Sequence, residues 1–251
     1  MASALSGMST ATLAAQTTTF IQALTASDMI AMTAAQVAAL TSTQIAVLVD
    51  TQLQAMSTAQ VASISTTDIA ALGTAQFSSF TGAQLTALTT AQINASTSDD
   101  FSALSTAQFA SLTATQIAAI TSAKVPGLAS TQLAALSVTQ AKSFTTTAIA
   151  NMADTQIIGF TSSHLAGFST AQIIAITSTD IAVLGTAQLA GLSTAQLLAL
   201  TTTQLSALTD VQFAAFSTAQ IKGFTTTQIK LLTSTQLGAL TSSQVNALTT
   251  A

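Results

Sequence analysis

Every eighth residue of this chain is large and apolar, from Met8 through Leu40, Leu72, Leu104, Phe160 and Leu200 to Leu248, and only Gln16 and Ser96 interrupt the column. A second apolar column runs three residues ahead of the first, as in Ile45, Leu53, Ile69, Phe77, Ile117, Ile173, Phe213 and Val245, with Ala141 its one small member. The frame holds from residue 5 onward without slipping by a single position. A linker or a second domain would shift it, so the chain reads as one array over 1–251, with a degenerate N-terminal cap at 1–20 and regular repeats over 21–251. The array stops inside an octad at Ala251, which predicts continuation in a longer parent chain.

Just after the first apolar column stands Ser or Thr in most octads (Thr41, Ser57, Thr89, Ser193, Thr241), and three residues later stands Gln (Gln44, Gln60, Gln92, Gln196, Gln244). Asp28, Asp68, Asp100 and Asp180 occupy the same fourth place. Ser/Thr-x-x-Gln ahead of an apolar residue is the capping box: the hydroxyl accepts from the amide three residues on, and the Gln side chain returns to the first amide. It marks a helix start, and here a start recurs every eight residues.

One continuous helix is excluded, because eight residues at about 100° each turn the apolar stripe by about 80° per octad and leave no apolar face. A flat strand is excluded too, since columns three and five residues apart point to opposite sides of a sheet. A β-solenoid with a turn in every octad is the alternative, favoured by Thr and Ile. Against it, Ala, Gln and Leu prefer helix, and ten glycines are few for dozens of tight turns. The expected fold is therefore all-α: a solenoid, or superhelix, of short helices of about two turns, one per octad. Such helices are marginal alone in water, so octads must stack on one another. The residue before each multiple of eight is small (Ala23, Ala39, Ser79, Gly159, Gly167, Gly191), which lets neighbouring helices approach closely; Val47, Asn151, Val183 and Leu231 are exceptions. The period does not say how many helices make one coil.

Charged residues are 5% of the chain and its net charge is -4, from eight Asp and four Lys. A typical domain carries about 25%. No basic patch exists for nucleic acid or anionic lipid, and weak mutual repulsion favours association of copies. Thr and Gln interrupt every octad, so no apolar run approaches the roughly 18 residues of a membrane-spanning helix. Cysteine is absent, which fits an exposed array as well as a reducing compartment. The opening MASALSGMSTATLAAQTTTF lacks the basic and apolar regions of a classical signal peptide.

The sequence offers no catalytic, cofactor-binding or metal-binding residue. His164 is the only histidine, stands in the Gln column and reads as a surface cap. Asp99 and Asp100 are the densest charge cluster; Asp100 suits a helix start and Asp99 the solvent beside it. Pro126 and Gly127 sit inside an octad, where proline removes a donor and bends a helix, a defect that a redundant array tolerates. Ser96 and Gln16 read as eroded core positions, Gln16 as part of an end cap. Lys142, Lys222 and Lys230 share one column, which must face solvent. The eleven Phe, Phe20 excepted, lie in the two apolar columns and belong to the core.

The run LSTAQLLALTTTQLSAL at 192–208 resembles the octapeptide repeat tracts of large bacterial secreted surface and adhesin-like proteins, and the likeness extends over nearly the whole chain. The resemblance implies an extracellular or cell-surface stalk, filament or spacer without catalytic activity. The partner it implies is the chain itself, with no nucleic acid, membrane insertion, small-molecule substrate or cofactor. An alternative is a surface-binding module that meets ice or a matrix through aligned Thr rows.

Overall fold

The computed structural model describes Leu5 and residues 7–248 of the chain. Its elements are short α-helices and one 3-10 helix, with no strand among the described residues. The all-α solenoid expectation therefore holds and the β-solenoid alternative falls. By internal packing the chain divides into two compact units, Met1–Gly127 and Leu128–Ala251.

Among the described residues from Ser9 onward each octad forms one helix, but a shorter one than the two turns expected. Most helices span five or six residues, such as Thr66–Ala71 and Asp210–Ala214. Extended backbone ends them early. After Thr66–Ala71, Leu72 lies at φ -65°, ψ 138° and the following Gly73 at φ -75°, ψ 156°. These angles are open to any L-residue, so the chain turns without left-handed backbone. Among the described residues only Gly7 has positive φ, and this is why an array of so many turns needs so few glycines.

Within each unit the packed helices lie three elements apart in the chain. Ala34–Ala38 packs on Thr58–Ser63 in the first unit, and Ser178–Val183 on Thr202–Ala207 in the second. Glutamine side-chain hydrogen bonds between coils join residues 28 to 31 apart, as where Gln84 reaches the end of the helix four elements back. One coil thus holds between three and four helices, a number hidden from an eight-residue period.

Both apolar columns point into the coil. Ile69, Phe77, Leu85, Ile173, Ile181 and Phe213 are fully buried, and Leu72, Leu88, Ile176 and Leu208 nearly so. Each such side chain contributes about 1.5–3 kcal/mol of burial. Phe77 meets Phe80 and Phe101 edge-on, with ring centroids 6.0 and 6.3 Å apart, a geometry that aromatic quadrupoles favour. The small column lies over the start of a helix 29 residues earlier, where the Ser63 hydroxyl donates to the Ala34 carbonyl at 2.9 Å. Val183 and Leu231, large residues in that column, remain exposed at the surface. Among the described residues no helix is long and apolar enough to cross a membrane.

Candidate functional site

The feature repeated along both units is a glutamine that works in two directions. Gln84 shows it fully. The Thr81 hydroxyl accepts from the Gln84 amide at 3.3 Å, and Gln84 Oε1 accepts from the Thr81 amide at 2.8 Å, completing the capping box. Its Nε2 then donates to the carbonyls of Leu53 and Met56, at 2.7 and 2.8 Å, on the coil before. An amide group has two N–H donors, and this geometry uses both on the ending of another helix. The last carbonyls of a helix lack partners within it; here the next coil supplies them.

The same arrangement recurs at Gln52 with Ile21 and Leu24, and at Gln92 with Val61 and Ile64. In the second unit Gln196 reaches Leu165 and Phe168, and Gln204 reaches Ile173 and Ile176. These glutamines are buried, yet no buried side-chain nitrogen or oxygen lacks a partner among the described residues. Where Gly73 replaces the hydroxyl residue, the hydroxyl half of the box is lost, while Gln76 still accepts from the Gly73 amide at 2.8 Å.

Substitutions in this column show which half of the function each residue keeps. Asp100 accepts from the Thr97 amide at 2.7 Å and so keeps the cap; Asp99 beside it is exposed, as expected. A carboxylate has no N–H to give, and the link to the earlier coil changes. Asp68 instead accepts from the Ser42 hydroxyl at 2.6 Å, 26 residues back. His164 is buried, which corrects the expectation of a surface cap. Its Nδ1 accepts from the Thr161 amide at 3.2 Å and its Nε2 lies 2.8 Å from the Leu136 carbonyl. The first contact leaves Nε2 to carry the proton, so the imidazole imitates Gln with one donor in place of two. We predict that His164→Gln preserves or raises stability by up to about 1 kcal/mol, whereas His164→Ala loses about 1–3 kcal/mol; denaturant unfolding checks both.

Lys124 is the misfit. It stands in the Gln column, is buried, and desolvation pushes its amine below the ordinary lysine range. The Ile93 carbonyl, 31 residues earlier, receives the Ser96 hydroxyl at 2.7 Å. Ser96 therefore is not merely an eroded core position: it supplies a donor where the next coil brings no glutamine. The Pro126 segment, Ser122–Gly127, is a 3-10 helix and not a kinked α-helix. Gln16 bonds the Thr12 carbonyl at 3.1 Å, and its own carbonyl accepts from Gln44 at 2.8 Å. Lys142, Lys222 and Lys230 are exposed, and ten phenylalanines of the apolar columns are buried, both as expected.

Asp180 carries the clearest electrostatic signature. Burial raises its carboxyl above the usual range; hydrogen bonding and repulsion from the Asp154 carboxyl raise it further, while the Thr177 hydroxyl and amide oppose them. No lysine lies on Ser130–Ala134, Asp154–Ile157, Ser178–Val183 or Thr202–Ala207, the helices packed in this stack. Because its folded-state value is raised, the protonated Asp180 carboxyl favours the fold below the ordinary carboxylate range, and that contribution is lost as pH rises through the folded value. Stability of the second unit is expected to fall over that rise, and Asp154→Asn to reduce the fall, in unfolding measured across pH.

No three His, Asp or Glu residues converge among the described residues. The surface groove bounded by Ser130, Ile158, Phe160, Thr161 and Gln188 gathers no titratable pair. Its chemistry is hydroxyl, methyl and amide. The fold and its repeated polar link define a class: an all-α repeat protein whose eight-residue units are joined coil to coil by glutamine. Residues 48–82, 61–98, 97–130, 173–210 and 213–250 match the ALTTAQ repeat. These matches take in more than half of the chain, which belongs to the ALTTAQ repeat family. No curated protein shows significant similarity to it.

Proposed function

We propose that this chain is a structural spacer: a non-catalytic repeat module that sets a distance at the outside of a cell, in a stalk, filament or adhesin-like assembly. The observation that carries the reading is the use of the buried polar groups. The buried Gln amides, the groups best able to bind a ligand, are spent on the adjoining coil, as at Gln84 and Gln196. What remains outside is a sparsely charged surface rich in Ser, Thr and Ala, with single apolar side chains such as Ile30 and Val211 among them. Length in such an array grows by adding octads without redesigning the core.

Two fluorophores at fixed sites, with increasing numbers of octads inserted between them, test the spacing role. A spacer gives energy transfer that falls steadily with octad number; transfer independent of that number contradicts it. Protease shaving of intact cells that make the protein naturally tests the location, with loss of the protein expected and full protection contradicting it. The hydroxyls of Thr81, Thr89 and Thr201 are engaged as helix caps, which favours the spacer over binding of an ordered surface by Thr rows.

A further inference from the structure

Asp68 and Asp180 hold the glutamine place in their octads, one in each unit, and each meets the residue 26 positions earlier on the packed helix. In the first unit that residue is Ser42. Its hydroxyl donates to Asp68 Oδ1 at 2.6 Å, while Asp68 Oδ2 accepts from the Ser65 hydroxyl at 2.6 Å. In the second unit Asp180 Oδ2 is engaged in the same way, accepting from the Thr177 hydroxyl at 2.5 Å. The residue 26 positions earlier is now Asp154, and the two carboxyl groups are hydrogen bonded. A serine hydroxyl brings its own hydrogen to such a link, and a carboxylate brings none. Two carboxyl groups bond only while they share a proton; without it, like charges face each other across the coils. Asp180 is 1% exposed, whereas Asp154 is exposed at the start of Asp154–Ile157, which gives the shared proton a route to water.

We propose that Asp154 and Asp180 form a proton-operated fastener between the helices Asp154–Ile157 and Ser178–Val183, closed while they share one proton and released when it leaves to water. Among the described residues Asp154 is the one charged group that acts on the Asp180 carboxyl. Ser130–Ala134 and Thr202–Ala207, packed on these two helices, carry no titratable side chain. His164, on Ser162–Gly167, turns its ring to the Thr161 amide and the Leu136 carbonyl. No cation therefore takes the proton's place. The closed pair holds its proton more firmly than the opened one, so the fastener holds in acid and loosens as pH rises through the range in which the pair ionises. Release is local, because Gln196 and Gln204 keep their bonds to Phe168 and Ile176, and an amide does not titrate. The device stands apart from the spacer role, since it concerns one contact and not the length of the array.

Native-state hydrogen exchange of the full chain, expressed as protection factors from about pH 3 to about pH 8, tests the fastener. Protection over residues 154–158 and 178–184 is expected to fall by at least about threefold as pH rises. Residues 66–71, on the Ser42–Asp68 contact, should show no such fall. Asp154→Ser rebuilds the Ser42 arrangement at an exposed position and is expected to abolish the fall. Ser42→Asp is the converse and should install the fall over residues 42–45 and 66–71. No local fall in the unaltered chain, a fall that survives Asp154→Ser, or a Ser42→Asp chain without one overturns the proposal.

Discussion

Gln84→Leu is expected to destabilise the first unit by about 2–5 kcal/mol, well beyond the loss of a helix cap. The substitution leaves the Thr81 amide without its acceptor and the Met56 carbonyl without its donor, and weakens the bonding of Leu53. Each buried polar group left unpaired costs about 1–3 kcal/mol. The Leu53 carbonyl retains the Met56 amide at 3.1 Å, which holds the total below three full penalties. Thr81→Ala removes only the hydroxyl half of the box and should cost about 1 kcal/mol. If glutamine were a cap alone, the two variants would be similar. Denaturant unfolding gives the energies, and hydrogen exchange around Leu53 shows whether the loss lies on the coil that Gln84 reaches.

The second large effect is steric and belongs to Gly127. A Cβ built there falls 1.8 Å from the Ser98 carbonyl oxygen and 2.6 Å from its carbon. Both are backbone atoms, so no rotamer relieves the clash and the coils must separate. Overpacking of this kind costs about 1–3 kcal/mol where side chains can adjust, and Gly127→Ala is expected to exceed that range. Gly159→Ala follows, 2.4 Å from the Ser130 oxygen. Gly238, with nothing within 4 Å of its Cβ position, gives the opposite sign: Gly238→Ala should stabilise by about 0.5–1 kcal/mol, because alanine orders more cheaply in a helix. Thermal unfolding of the three variants checks the order.

Much of this fold is legible in the sequence because local chemistry and burial repeat in one frame. The hydroxyl column announces each helix start, and the two apolar columns announce the core that Ile69 and Leu72 or Phe77 and Phe80 build. Helix length is less legible, since Leu72 and Gly73 are both extended and no sequence rule distinguishes that from a continuing turn. The coil number is invisible for a different reason: it is set by contacts 28 to 31 residues apart, while the sequence repeats every eight.

The second role of glutamine does leave a signal. A capping box accepts Glu as readily as Gln, yet this chain contains no Glu at all. Glu, like the Asp of a few octads, could cap but could not donate. His164 obeys the same logic by retaining an N–H. Ser96 and Lys124 look like unrelated irregularities until the coil repeat brings their columns into register. Pro126 and Gly127 are legible as a disruption, but the closeness of Gly127 to Ser98 emerges only from the stacked coil.

If buried glutamine amides bond the preceding coil, exchange of their side-chain protons, followed by NMR, reports it without an intermediary. Gln84 and Gln92 should exchange their Nε2 protons far more slowly than Gln54, which is exposed on a helix surface. Exchange at Gln84 and Gln92 as fast as at Gln54 would mean that the coils are not joined this way.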